Sequence, residues 1–197
     1  YRDHPDLHAF PTRRSSDLDK HIAKRRASKS KFSQREIHEI LSSILELLDL
    51  FHQEELVMRT LAPESILYHP SSDRVPYPQL TFLNYGLVKS LVKNAKQKDE
   101  LTMVGEKPMP PDIAPPELTL SKSTDIWTVG LVGYELVRLQ KRDPRQEEKI
   151  AEQESLFYGV IDKALEKEPS ARYKDAQEML TALDKIKIPV ETKKSVL

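Results

Sequence analysis

A helix drawn over Ser123–Val137 has no polar side. Ile126, Trp127, Val129, Leu131, Val132, Tyr134, Leu136 and Val137 fall on nearly every face of it. Such a helix belongs in the middle of a domain, with other elements packed around it, and Ser123 or Thr124 can cap its start. The chain has 197 residues, enough for one domain with a sizeable core. The elements that could wrap the central helix therefore come first in the reading.

Upstream, Ser33-Gln34-Arg35-Glu36 has the form of a capping box, and Phe32 can staple onto Ile37. Ile37, Leu41, Ile44, Leu48 and Phe51 then recur at three- and four-residue spacing, with Ile40, Leu45 and Leu47 widening the stripe. This predicts a long, substantially buried helix. Two short strands follow, Ile66–Tyr68 and Gln79–Leu83, separated by the turn-rich His69–Pro78. A long irregular segment, Asn84–Glu117, runs into the central helix. Beyond that helix, Leu139–Glu154 is charged and predicts a solvated connection. Amphipathic helices at about Ser155–Lys167 and Lys174–Lys187 close the domain, the latter with Ala176, Leu180 and Leu183 on one face. The expected class is mainly α, a helical bundle carrying one small β-hairpin.

The two ends read differently. Tyr1–Leu18 has no helical or strand periodicity, and its closing run FPTRRSSDL looks like translated sequencing-adapter read-through. Residues 1–18 are accordingly expected to be a non-native or disordered leader, and His4 and His8 carry no metal hypothesis. Residues 19–31 read as a basic linker, with Lys20, Lys24, Arg25, Arg26, Lys29 and Lys31 against one acid, Asp19. Within it Arg25-Arg26-Ala27-Ser28 resembles a site for basophilic kinases, making Ser28 a candidate phosphosite. Residues 188–197 read as a disordered tail.

Composition narrows the function classes. Basic and acidic residues balance at 31 each, so the whole-chain field favours no nucleic-acid or membrane partner. No apolar run approaches the roughly 18 residues of a membrane span. With no cysteine there is no disulfide framework, thiol nucleophile or thiolate metal site, which fits a cytoplasmic location. His38, His52 and His69 are scattered without metal-ligand spacing, so no metal site is expected. Thr102 reads as an ordinary loop threonine, and Trp127 and Tyr134 as core aromatics.

Five motifs in register across Phe32–Leu183 resemble the C-terminal lobe of a eukaryotic-type protein kinase. Where that family has a catalytic loop H-R-D-L-K-x-x-N, this chain reads Met58-Arg59-Thr60-Leu61-Ala62-Pro63-Glu64-Ser65. D-F-G is replaced by Asn84-Tyr85-Gly86, and A-P-E by Pro115-Pro116-Glu117. D-x-W-x-x-G stands intact as Asp125-Ile126-Trp127-Thr128-Val129-Gly130. The segment with the family's late arginine is matched by Lys167–Tyr173, with Arg172 in that place.

The resemblance implies a kinase-like C-lobe with its hairpin at the catalytic loop and the N-lobe absent, because no G-x-G-x-x-G loop or V-A-I-K lysine precedes residue 32. It also implies lost chemistry. Thr60 replaces the aspartate that receives the substrate proton, and a hydroxyl has no basicity near neutral pH. Ala62 replaces the loop lysine, and Ser65 the asparagine that holds a second magnesium. Asn84 replaces the principal magnesium carboxylate, leaving an uncharged amide for a hard cation. Scaffold positions persist in Arg59, Gly86, Glu117, Asp125, Trp127, Gly130 and Arg172. Glu117 and Arg172 are expected to meet as a buried, bidentate ion pair. The reading is a catalytically inactive, kinase-like fragment serving as a protein-interaction or allosteric module, its partner an active kinase or a scaffolded substrate. The alternative is a divergent serine/threonine kinase with residual ATP-dependent activity. No cofactor is expected, ATP and magnesium entering only if an intact N-lobe lies upstream.

Overall fold

The computed structural model describes residues 16–59, 61–70, 78–83, 88–90, 111–117, 119–143 and 148–189. Helix α2 (Gln34–Gln53) begins where the capping box places it. Ser33 Oγ accepts the Glu36 N–H at 3.2 Å, and Glu36 Oε2 accepts the Ser33 N–H at 2.7 Å, so two otherwise orphaned donors are satisfied at the helix start. Its buried stripe is Ile37, Ile40, Leu41, Ile44, Leu45, Leu48 and His52. The last member is a histidine rather than Phe51, which is only half-buried.

The central helix α3 spans Lys122–Arg138, capped from Ser121, somewhat earlier than the sequence suggests. Thr124 lies inside the first turn, where its hydroxyl oxygen accepts the Ser121 N–H at 3.1 Å. Nearly every residue from Ser123 to Val137 is buried, as a helix without a polar face requires. It packs against both α2 and α4 (Tyr158–Ala164), while α5 (Ala176–Asp184) packs against α2. The α3–α4 approach is close. A Cβ at Gly130 would lie 2.9 Å from Leu165 Cγ, closer than real Cβ atoms come, and one at Gly133 would lie 3.0 Å from Ile161 Cγ1, tighter than most real contacts. Glycine at these two positions lets the helices touch backbone to side chain.

Helices α4 and α5 are shorter than their amphipathic patterns. The Ser155 hydroxyl donates to Gln34 Oε1 at 3.1 Å, and the Leu156 N–H donates to the same oxygen at 2.9 Å. This tertiary hydrogen bonding ties the expected first turn of α4 to the start of α2. Asp175 caps α5 by accepting the Glu178 N–H at 2.9 Å. The connection after α3 is not simply solvated either: Ile150 is buried, and its N–H donates to Asp162 Oδ1 at 3.1 Å.

The expected hairpin is present and gains a third strand. Strand β3 (Ile66–His69) pairs antiparallel with β4 (Gln79–Phe82), Ile66 opposite Phe82 and His69 opposite Gln79. On its other edge β3 pairs with β1 (Ser16–Asp17), Asp17 opposite Leu67. A separate two-stranded ladder joins β2 (Leu56–Val57) to β5 (Lys89–Ser90).

The N-terminal boundary needs correcting within the described residues. Ser16 and Asp17 are paired strand, and Leu18 opens helix α1 (Leu18–Ala27), which runs through most of the stretch read as a basic linker. Leu18 and Ile22, one helical turn apart, are both fully buried, and α1 packs against β3. Two apolar residues are too few to show a period among six cations. Residues 1–15, residues 71–77 of the expected turn, most of the expected irregular segment with Thr102, and residues 190–197 lie outside the described residues. Among the described residues no helix is long and apolar enough to cross a membrane.

Candidate functional site

The loop that leaves α2 through β2 is held by a carboxylate that lies far away in sequence. Asp125, in the first turn of α3 and 0% exposed, accepts the Met58 N–H on Oδ2 and the Arg59 N–H on Oδ1, both at 2.8 Å. His52 adds a third contact, its Nε2 lying 3.2 Å from Asp125 Oδ2. The other ring nitrogen, Nδ1, accepts the backbone N–H of Ala176 at 3.1 Å. Because a backbone N–H can only donate, the imidazole carries its proton on Nε2 and donates it to Asp125. One histidine thus links the end of α2, the start of α3 and the start of α5. Arg59 takes a positive φ of 66°, a conformation worth roughly 1–2 kcal/mol of strain for a non-glycine residue, and Asp125 grips its N–H.

Further along, the loop closes on itself through a short 3-10 turn, Pro63–Ser65. Ser65 Oγ accepts the Ala62 N–H at 3.0 Å and donates to the Ala62 carbonyl at 2.8 Å. The Ser65 carbonyl in turn accepts the Leu83 N–H at 2.7 Å, stitching the loop to the end of β4. The hydroxyl at this position is engaged with the loop's own backbone, and Ala62 brings no polar side chain. Among the described residues no cluster of three or more His, Asp or Glu could hold a metal ion. Thr60, Asn84 and Gly86 lie outside the described residues.

The first turn of α3 also holds the end of the irregular segment. Arg172 Nη1 donates to Glu117 Oε1 at 2.9 Å and Nη2 to Glu117 Oε2 at 2.7 Å, a bidentate pair. The remaining N–H groups go to the carbonyls of Glu166 at 2.7 Å, Ser123 at 3.1 Å and Lys167 at 3.0 Å. All five guanidinium donors are satisfied, on a side chain that is 0% exposed. The Trp127 ring lies against the same guanidinium, 4.9 Å from its carbon. Asp125 and Ser123 therefore place two long-range attachments on one helical turn.

The protein kinase domain model matches residues 10–187. The chain belongs to the protein kinase domain family. Among its relatives, calcium/calmodulin-dependent protein kinase type 1 of Macrobrachium nipponense is 26% identical over 113 residues, covering 55% of this chain and 30% of that protein. Calcium-dependent protein kinase 5 of Plasmodium berghei (strain Anka) is 32% identical over 108 residues, 54% of this chain and 18% of that protein. The crystal structure of the PknI kinase domain of Mycobacterium tuberculosis superposes with a TM-score of 0.63 at 19% identity, over 86% of this chain and 61% of that one. The matched segment thus spans under a third of these curated relatives, and the structural likeness establishes the fold.

Two residues of this kinase domain have surroundings that the sequence reading did not foresee. His52 follows Leu48 by four residues, a helical spacing that places it on the buried stripe of α2; that was the available signal. Glu135 is the other, an acid on the helix with no polar face and only 4% exposed. Burial pushes its carboxyl from 4.5 up to about 6; Glu64 and Asp19 push the same way, while Lys141 and Arg26 oppose it. Beside it Lys141 Nζ lies 2.7 Å from Glu64 Oε1 and 3.6 Å from Asp112 Oδ2. A carboxyl whose folded pKa exceeds its unfolded one favours the folded state when protonated and opposes it when ionised. Stability should therefore rise as pH falls from about 6 toward 4.5 through this group, by about 2 kcal/mol in total. Urea unfolding at pH 7 and pH 5 should show a gain that Glu135→Gln largely removes. An unchanged pH dependence in the variant would count against it.

Proposed function

We propose that this kinase-family domain is a pseudokinase, working as a protein-interaction or allosteric module instead of transferring phosphate. The observation that carries the reading is a loop anchored as a kinase loop should be but without its chemical groups. Asp125 holds the Met58 and Arg59 amides, yet Ala62 has no ammonium and the Ser65 hydroxyl is bonded to the loop backbone. The sequence supplies Thr60 and Asn84 where the family uses carboxylates. Phosphoryl transfer depends almost entirely on positioning and charge neutralisation, so losing the base and the metal carboxylate together removes both. On this reading ATP and magnesium are not required. The partner is a protein, an active kinase or a substrate being scaffolded.

The native full-length protein, with whatever lies upstream of this chain, should show no Mg-ATP-dependent phosphorylation of itself or of generic serine/threonine substrates above a mock-purified control. Robust activity abolished by Thr60→Ala would overturn the proposal in favour of a divergent serine/threonine kinase.

A further inference from the structure

We propose that Ser28 is a phosphorylation site for a separate basophilic serine kinase, and that its phosphate releases the last turn of α1 from the domain. Ser28 is the exposed C-cap residue of α1, and among the described residues its hydroxyl makes a single hydrogen bond, 3.2 Å to the Arg25 carbonyl. Arg25 and Arg26 stand three and two residues before it, the spacing that a basophilic kinase reads through its own acidic groups. Ser30, by contrast, is half-buried and accepts a hydrogen bond from Arg25 Nη1 at 3.2 Å.

The same two arginines fasten this end of the helix. Arg25 pairs with Glu36 in the capping box of α2, donates to the Lys31 carbonyl at 3.2 Å, and lies over the Phe32 ring at 4.9 Å. Arg26 donates through Nε to the Leu139 carbonyl at the end of α3, and Nη2 lies 3.4 Å from Glu135 Oε1. Leu139 is itself a left-handed cap with φ 59°. The buried residues of α1 are Leu18 and Ile22, both in its first half. Its last turn therefore depends on these polar contacts, and a helix end so held opens at low cost. That opening would also present Arg25–Ser28 to a kinase active site in extended form.

In the reaction, Ser28 Oγ forms a bond to the γ-phosphorus of ATP while the bond from that phosphorus to the β–γ bridging oxygen breaks. ADP leaves, and the hydroxyl proton passes to the modifying kinase's base. The product carries nearly two negative charges at a helix C-terminus, where the terminal carbonyls already repel anions. It also loses the donor that bonded the Arg25 carbonyl. Arg25 and Arg26, three and two positions before the cap, become partners for the phosphate in place of Glu36 and Glu135.

The test treats the full chain with a basophilic serine kinase and Mg-ATP, maps phosphate by mass spectrometry, and follows amide hydrogen exchange across residues 18–36. Expected is phosphate on Ser28, absent in Ser28→Ala, with exchange over residues 23–30 faster by about tenfold in the phosphorylated chain. Ser28→Ala, treated identically, should keep its slow exchange. Phosphate on a synthetic peptide of residues 22–34 but not on Ser28 of the folded chain would overturn the proposal. So would a phosphorylated chain whose exchange over residues 23–30 is unchanged.

Discussion

Asp125→Ala is expected to cost the domain about 4 kcal/mol, a large share of the roughly 5–15 kcal/mol that holds a domain of this kind together. The aspartate accepts two backbone N–H groups at 2.8 Å in a site without water access, and a hydrogen bond to a charged acceptor contributes roughly 1.5–3 kcal/mol. Alanine leaves the Met58 and Arg59 amides and the His52 Nε2–H without an acceptor, so the loss includes their desolvation. Arg59, at a positive φ, also loses the acceptor of its N–H. Asp125→Asn should be milder, at about 2 kcal/mol, because one amide oxygen can still serve one of the two N–H groups. Urea denaturation followed by circular dichroism measures both variants. Limited proteolysis should show new cleavage between Met58 and Ser65 in Asp125→Ala. A loss below about 1 kcal/mol would mean that the loop holds its shape without this carboxylate.

Arg172→Ala is expected to cost about 3–5 kcal/mol, because it strands the Glu117 carboxylate, 12% exposed, beside the carbonyls of Ser123, Glu166 and Lys167. The pair itself need not be worth that much. Two charges withdrawn from water repay each other only partly, so replacing both together, as Arg172→Met with Glu117→Leu, should recover much of the loss. The full double-mutant cycle separates the two effects. Glu152→Ala, on an exposed acid of the connection, should stay within about 0.5 kcal/mol of the parent. If Arg172→Ala behaved like that control, the pair would be a contact without consequence for stability.

Both variants bear on positions that were legible before any coordinates, though for different reasons. The start of α2 is local. A serine, a glutamate three residues later and the apolar stripe behind them are sufficient, and the observed hydrogen bonds are the ones that chemistry demands. The Glu117–Arg172 contact joins residues 55 apart, and nothing in local periodicity requires it. It became readable only through the register of several motifs along the chain. His52 shows the opposite case. Its helical spacing from Leu48 placed it on the buried face, but burial alone does not tell which groups a histidine will bond. That depended on where α3 and α5 begin.

The sequence by itself determined the elements with strong local signals: the long helix α2, the central helix α3 with apolar residues on nearly every face, the hairpin strands, and the family to which the motifs point. Their patterns repeat over many residues, so each residue's preference agrees with its neighbours' and the sum is decisive. Tertiary structure alone decided the rest. It made a helix of the basic stretch by burying Leu18 and Ile22, added β1 to the edge of β3, and shortened α4 in favour of hydrogen bonds to Gln34. It also turned the Ser65 hydroxyl onto Ala62 and brought Glu135 to Arg26. The physical reason is the same throughout. These features rest on one or two contacts between residues distant in sequence, and such contacts leave no period in the chain that makes them.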